Sequence, residues 1–227
     1  MNLNNVLQMP DGSVVKVSFL QEVAQTYDSF CELVENKVLD IALDLERNKP
    51  LYHKLGEDQL TGIIVISLKA AGFDADHDTF RNGHVDLLVK NGRYEWMGEA
   101  KLDNGPAYLM EGFRQLSDRY TDGNPTSSRG GLLIYTQKQN KVTFMDGWLE
   151  HVGANYEVPV ACTERCSETL TSRTMHSHQS TGINYRVRHI PISLYYKPTD
   201  KSARNSAKGS SRKSSKSAVK KPAKSAK

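Results

Sequence analysis

Asp86, Glu99 and Lys101 are the side chains of this sequence whose types and spacing best suit chemistry. Residues 84–89 and 94–101 are short runs rich in β-forming side chains, joined by Lys90-Asn91-Gly92-Arg93. Asn-Gly between such runs is a strong hairpin signal. With Asn91 and Gly92 as the loop pair, paired numbers sum to 183, so Leu87 faces Trp96, Asp86 faces Met97 and His84 faces Glu99. Alternation then puts Asp86, Glu99 and Lys101 on one sheet face, the two acids as diagonal neighbours. A register one residue different would split Asp86 from the others. Two carboxylates so placed can share Mg²⁺ or Mn²⁺. Such an ion polarises a phosphoryl oxygen and supplies a hydroxide-like water, which is the chemistry of phosphodiester hydrolysis. Beside two acids Lys101 stays protonated, suited to stabilising a pentavalent phosphorane or orienting the water. Glu57, one turn before an apolar helix face, is a further carboxylate for the same metal. The E-x-K tripeptide alone says nothing, because Glu35-Asn36-Lys37 repeats it elsewhere in the chain; the hairpin gives it meaning.

The elements that must position these groups are legible by period. Residues 1–18 read as a short hairpin, with a turn at Asp11-Gly12 and alternating Val15, Val17 and Phe19. From about 19 to 47, Phe30, Leu33, Val34, Val38, Ile41 and Leu45 recur at helical spacing, predicting one long helix that packs outside the core or forms a dimer face. A second helix is predicted over about 58–71, closed by Gly72. After the central hairpin come a helix opening at Asn104-Gly105-Pro106 and running to 120, a polar loop over 121–130, a buried strand over 131–136 and a short helix over 141–151. Residues 152–182 carry no readable period. Residues 183–196 alternate as a late strand, which Pro191 pushes toward an edge or a bend. The expected class is α/β, a mixed central β-sheet flanked by helices. The N-terminal hairpin and long helix (1–50) precede the core (51–196), and a disordered basic tail (197–227) follows it.

In this order, the helix carrying Glu57, Gly83-His84-Val85-Asp86, the hairpin, Glu99-Ala100-Lys101, a helix with Gln115 and the strand at 131–136 resemble the PD-(D/E)xK, or restriction-endonuclease-like, nuclease superfamily. The resemblance covers about 55–150. It implies a restriction-endonuclease-like core in which Asp86 and Glu99 bind the divalent metal, Lys101 assists the attacking water, Glu57 adds a ligand and Gln115 lies at the site edge. Val85 stands where the family often has proline, and Tyr120 follows Gln115 at five residues rather than at the four of some subgroups. The implied activity is metal-dependent endonucleolytic cleavage of DNA. The alternative is a non-catalytic nucleic-acid-binding or assembly protein with a nuclease-like fold.

Composition bounds the rest. With 227 residues, 38% hydrophobic and 25% charged, the chain can bury one good core. The net charge of +4 hides an asymmetry: from Lys197 to Lys227 eleven Lys/Arg face one acid, leaving the remainder at −6. Such an arm, with Lys208, Arg212, Lys213, Lys216, Lys220 and Lys221, binds phosphate backbones without reading sequence. A basic groove on the ordered part must come from local groups such as Arg114, Arg119, Arg129, Arg186 and Arg188. Cys162, Cys166, His176 and His178 contain zinc-ligand types at an unfamiliar spacing, with free thiols in an irregular loop as the other reading. No run spans a bilayer and the start lacks a signal peptide's charged and apolar regions. Three cysteines fit a reducing compartment. The expected setting is cytoplasmic and nucleic-acid-associated, the partner DNA, with a homodimer suited to cutting both strands.

Overall fold

In the computed structural model, residues 9–10, 13–24 and 26–200 are described. The chain divides into a unit ending at Tyr195 and a second one from Tyr196 on. The basic residues Lys208, Arg212, Lys213, Lys216, Lys220 and Lys221 lie outside the described residues, as do residues 1–8 and 11–12 of the expected N-terminal hairpin.

A mixed seven-stranded sheet forms the centre. Its strands are β1 (Asp74–Asp76), β4 (Leu87–Asn91), β5 (Tyr94–Leu102), β6 (Arg129–Thr136), β7 (Ala161–Cys166), β8 (Thr171–Ser177) and β9 (Asn184–Ser193), in the spatial order β1-β4-β5-β6-β9-β8-β7. β5, β6 and β9 run parallel, while the outer pairings are antiparallel. A separate two-stranded hairpin, β2 (Thr79–Phe80) with β3 (His84–Val85), leads directly into Asp86. One sheet face is covered by α2 (Tyr27–Arg47) and α3 (Glu57–Ala70), which share a core with Leu87, Val89, Trp96, Leu133 and Tyr135. The other carries α4 (Pro106–Arg114), a π-helix over Gln115–Tyr120 and α5 (Lys141–Asn155), packed on Leu88, Met97, Leu132 and Ile134. No helix among the described residues is long and apolar enough to cross a membrane.

The single long N-terminal helix resolves into α1 (Val14–Val23) and α2. Thr26 breaks it: its Oγ1 accepts from the Ser29 amide (3.2 Å) while Ser29 Oγ accepts from the Thr26 amide (3.3 Å), a reciprocal cap that starts a new helix. The alternation expected over 15–19 is therefore helical. α2 is not peripheral either, since Phe30, Cys31, Val34 and Val38 are fully buried against the sheet.

Two corrections concern strands. The region without period, 152–182, contains β7 and β8. Pro191 does not put β9 at an edge along its whole length, because β9 pairs with β6 on one side and with β8 on the other from Asn184 to His189. Beyond His189 the β8 side is open. The amides of Arg186 and Leu194 point to β6, donating to Ser128 and Thr136 carbonyls, so the odd-numbered positions face the other way. Ser193 donates its amide to Glu46 Oε1 there (2.7 Å). Pro191 thus lacks an amide only where no strand stands to receive it.

Two buried histidines make the fold acid-sensitive. His189 accepts from Trp148 Nε1 (3.0 Å), which places its own hydrogen on Nε2 against Thr174 Oγ1 (2.8 Å). His176 packs among Phe113, Tyr156 and Tyr185 with neither ring nitrogen hydrogen-bonded. Burial, with a smaller push from His178, lowers His176 to about 4; burial, then His176, lowers His189 to about 3. Below about pH 6.5 the unfolded chain takes protons that the folded chain refuses, so stability falls as pH drops from 6.5 toward 4. Each imidazole accounts for about 2 kcal/mol of loss at pH 5. His176→Phe removes one share: urea unfolding at pH 8 and pH 5 should show the variant losing about 2 kcal/mol less than the native chain across that interval. An unchanged difference would remove His176 from the explanation.

Candidate active site

The site forms where the β4–β5 ladder ends. The loop pair of the hairpin is Gly92-Arg93, with Gly92 at φ +57° and Asn91 paired to Tyr94, so paired numbers sum to 185 rather than 183. A slip of two residues keeps every side chain on its expected face. Asp86, in the bend between β3 and β4, falls level with Glu99 instead of diagonal to it. Regular pairing stops at Leu87 opposite Gly98, leaving the next amides of β5 on that side without a strand. Carboxylates take the vacant places: the Ala100 amide donates to Asp86 Oδ2 (2.9 Å) and the Leu102 amide to Glu57 Oε2 (2.6 Å). Glu57 is the first residue of α3, so the acid at this helix N-terminus reaches across to the strand. Tyr108 Oη donates to the same oxygen (3.4 Å).

Between these carboxylates, Glu99 and Lys101 point from β5 toward α4. Glu99 is 1% exposed and Lys101 9%. The Lys101 ammonium contacts Glu99 Oε1 directly and lies 3.7 Å from Glu57 Oε1 and 4.0 Å from Asp86 Oδ2. It sits 5.9 Å from the Tyr108 ring centroid. Gly112 of α4 permits this closeness: a Cβ there would stand 2.7 Å from Lys101 Cγ and 3.4 Å from Glu99 Cγ. Three carboxylates against one ammonium leave negative charge unbalanced. Burial first, then repulsion from Asp86, pushes Glu99 up to about 8 despite Lys101. Burial alone would lower Lys101, but Glu99, Asp86 and Glu57 outweigh it and hold the ammonium above the ordinary lysine value. Tyr120 is raised to about 12, by burial and then by Glu99 and Asp86.

Glu99 Oε2 and Gln115 Oε1 are both buried with no hydrogen-bond partner. An ionised carboxylate oxygen only accepts, so Glu99 Oε2 needs either a proton or a cation. The donor set, all hard oxygens, fits Mg²⁺ or Mn²⁺. Among the described residues, however, no group of three or more His, Cys, Asp and Glu is already arranged around a metal position; the ammonium of Lys101 lies among the acids instead.

The structure thus gathers Asp86, Glu99, Lys101 and Glu57, and places Gln115 at the first turn of the π-helix. Tyr108 and Gly112 were missed by sequence reasoning; the only signal was their place on the helix following E-x-K. His84 pairs with Asp78 (2.8 Å) and is exposed. The zinc candidates are not brought together. Cys162 is exposed on β7, His176 lies in the aromatic core, and His178 Nδ1 contacts Thr181 Oγ1 (3.2 Å). Most arginines expected to supply a basic groove are neutralised: Arg114 by Glu157, Arg186 by Asp28, and Arg129 and Arg188 by Glu35. Comparison of the chain with protein-family models, with curated proteins and with solved structures finds no match.

Proposed function

We propose that the chain is a divalent-metal-dependent nuclease with a restriction-endonuclease-like core, an endodeoxyribonuclease that hydrolyses phosphodiester bonds. The observation that carries this reading is the convergence of Asp86, Glu57 and Glu99 around Lys101 at the open end of the β4–β5 ladder, with Glu99 Oε2 buried and unsatisfied. Asp86 and Glu99 would hold Mg²⁺ or Mn²⁺, with Glu57 beside them. When bound, the metal supplies Lewis-acid activation of the phosphoryl oxygen and a water of lowered pKa. Lys101, fixed as an ammonium, places positive charge where the phosphorane becomes more negative. Tyr108 and the Leu102 amide hold Glu57 in place, and Gln115 offers an unsatisfied oxygen at the edge. The basic residues Lys208, Arg212, Lys213, Lys216, Lys220 and Lys221 would raise local substrate concentration through the phosphate backbone.

A second reading has one observation in its favour. With the Lys101 ammonium among the acids and no preformed metal group among the described residues, the same fold suits a nucleic-acid-binding or assembly protein without chemistry. The purified chain is to be incubated with supercoiled plasmid, linear duplex, single-stranded DNA and RNA, in Mg²⁺, Mn²⁺ or EDTA. Cutting with either metal and none in EDTA is expected. Absence of cutting under all conditions, with salt-sensitive binding that survives Asp86→Ala and Lys101→Ala, would overturn the nuclease reading in favour of the second.

A further inference from the structure

Phe80 is 69% exposed at the tip of the β2–β3 hairpin. It is not loose. Its register partner is His84, whose ring stands edge-on at 5.9 Å and is in turn held by Asp78 at 2.8 Å. The hairpin is seated on the π-helix: Arg119 Nε donates to the Asn82 carbonyl (3.0 Å), and a Cβ at Gly83 would come within 2.8 Å of the Tyr120 ring. The next residue after β3 is Asp86, once Val85 has buried itself in the core. Phe80, Arg93, Met97 and Tyr120 line one open cleft of about 530 Å³, together with Asp122 and the ion pair of Arg81 with Glu95 (2.5 Å). Met97 shares a strand face with Glu99, two residues further along β5, so the cleft adjoins the candidate active site. Among the described residues, Arg93 and Arg119 lie over the Tyr94 and Tyr120 rings (5.5 and 5.9 Å) rather than against a carboxylate.

A fixed, exposed aromatic ring beside guanidinium groups without acidic partners is the combination that binds a nucleic-acid strand with its bases free: the ring stacks on a base face and the cations take phosphates. In a closed duplex the base faces are already stacked on one another. We propose that Phe80 is a stacking platform for an unpaired nucleobase, so that the site accepts its substrate as a single strand or as a duplex opened at this point. What this says about substrate rests on the nuclease reading; the stacking itself does not.

The test separates the two. The full chain is titrated in EDTA, where metal-dependent cutting cannot occur, with a short single-stranded DNA carrying 2-aminopurine, and with the same DNA as a duplex. Salt is set high enough to screen backbone contacts. The native chain should change 2-aminopurine emission on the single strand and bind it more tightly than the duplex. Phe80→Ala should lose the emission change and about tenfold in affinity, and Phe80→Trp should keep both. Phe80 is on the surface, so thermal melting of the Ala variant should match the native chain. Equal binding of single strand and duplex, or an Ala variant that binds as the native chain does, overturns the proposal; the latter is the outcome if Phe80 serves a protein partner. If the Phe80 dependence holds while Mg²⁺ produces no cutting of any substrate, the nuclease reading fails and the stacking platform stands.

Discussion

Asp86→Asn and Lys101→Met are each expected to slow Mg²⁺-dependent cleavage by about a thousandfold or more, with the fold intact. Asp86→Asn keeps an oxygen for the Ala100 amide, so the β5 edge stays satisfied and only the negative charge is lost. A metal that depends on that charge is then held by fewer anionic ligands. Lys101→Met keeps the length of the side chain under Gly112 and removes the ammonium. Glu99, already raised to about 8, then takes its proton more readily still, because its main positive neighbour has gone. Initial rates on the preferred substrate, with circular dichroism and thermal melting as controls, decide the matter. Activity within about tenfold of native in either variant would show that the cluster is structural.

The largest effect on stability is expected at Glu35. Its carboxylate is 1% exposed and meets Arg129 (3.0 Å), Arg173 (2.8 Å) and Arg188 (3.3 Å), with Trp96 Nε1 at 3.4 Å. This ties α2 to β6, β8 and β9 at once. Glu35→Gln leaves guanidinium groups clustered without their central anion, and breaking a buried pair from one side costs about 3–5 kcal/mol. The exposed pair Asp44–Arg47 (3.0 Å, side chains 69% and 71% exposed) provides the contrast: Asp44→Asn should cost less than about 1 kcal/mol. Urea unfolding of both variants reads the difference directly, and equal midpoints would show that the Glu35 network adds no stability.

The site residues and Glu35 also illustrate how far the sequence could be read. Asp86, Glu99 and Lys101 were legible because hairpin parity fixes which side chains share a face, and parity survived the two-residue slip in register. Glu35 was legible only as a decoy, the second E-x-K of the chain; its arginine partners come from strands more than ninety residues away, and no local period announces them. α2 and α3 were visible because their apolar faces repeat at helical spacing. α1 was misread because Val14–Val23 is rich in β-branched residues whose strand preference is overridden by tertiary contacts. Gln21 of α1 bonds the Gly72 carbonyl (3.2 Å) and receives Asn91 Nδ2 on its own carbonyl (3.0 Å). β7 and β8 escaped for opposite reasons: β7 is exposed on nearly every side chain, whereas β8 buries Thr171, Ser172, Thr174 and His176. Neither alternates apolar with polar. Tyr108 and Gly112 act at the site only because the crossover helix lies over β5, a matter of packing that spacing along the chain does not encode.

The open half of β9 has a consequence for how this protein meets other copies of itself. A strand bordered on one side only is a template onto which a foreign strand can be added, and aggregation commonly begins at such places. Here the template lacks its donors. The Ser193 amide is already taken by Glu46, which is also held by Lys141 (2.7 Å), and Pro191 has no amide to give. An approaching strand finds neither of these two amides to pair with, so the interruption of β8 leaves a gap in the sheet that offers no donor at either position.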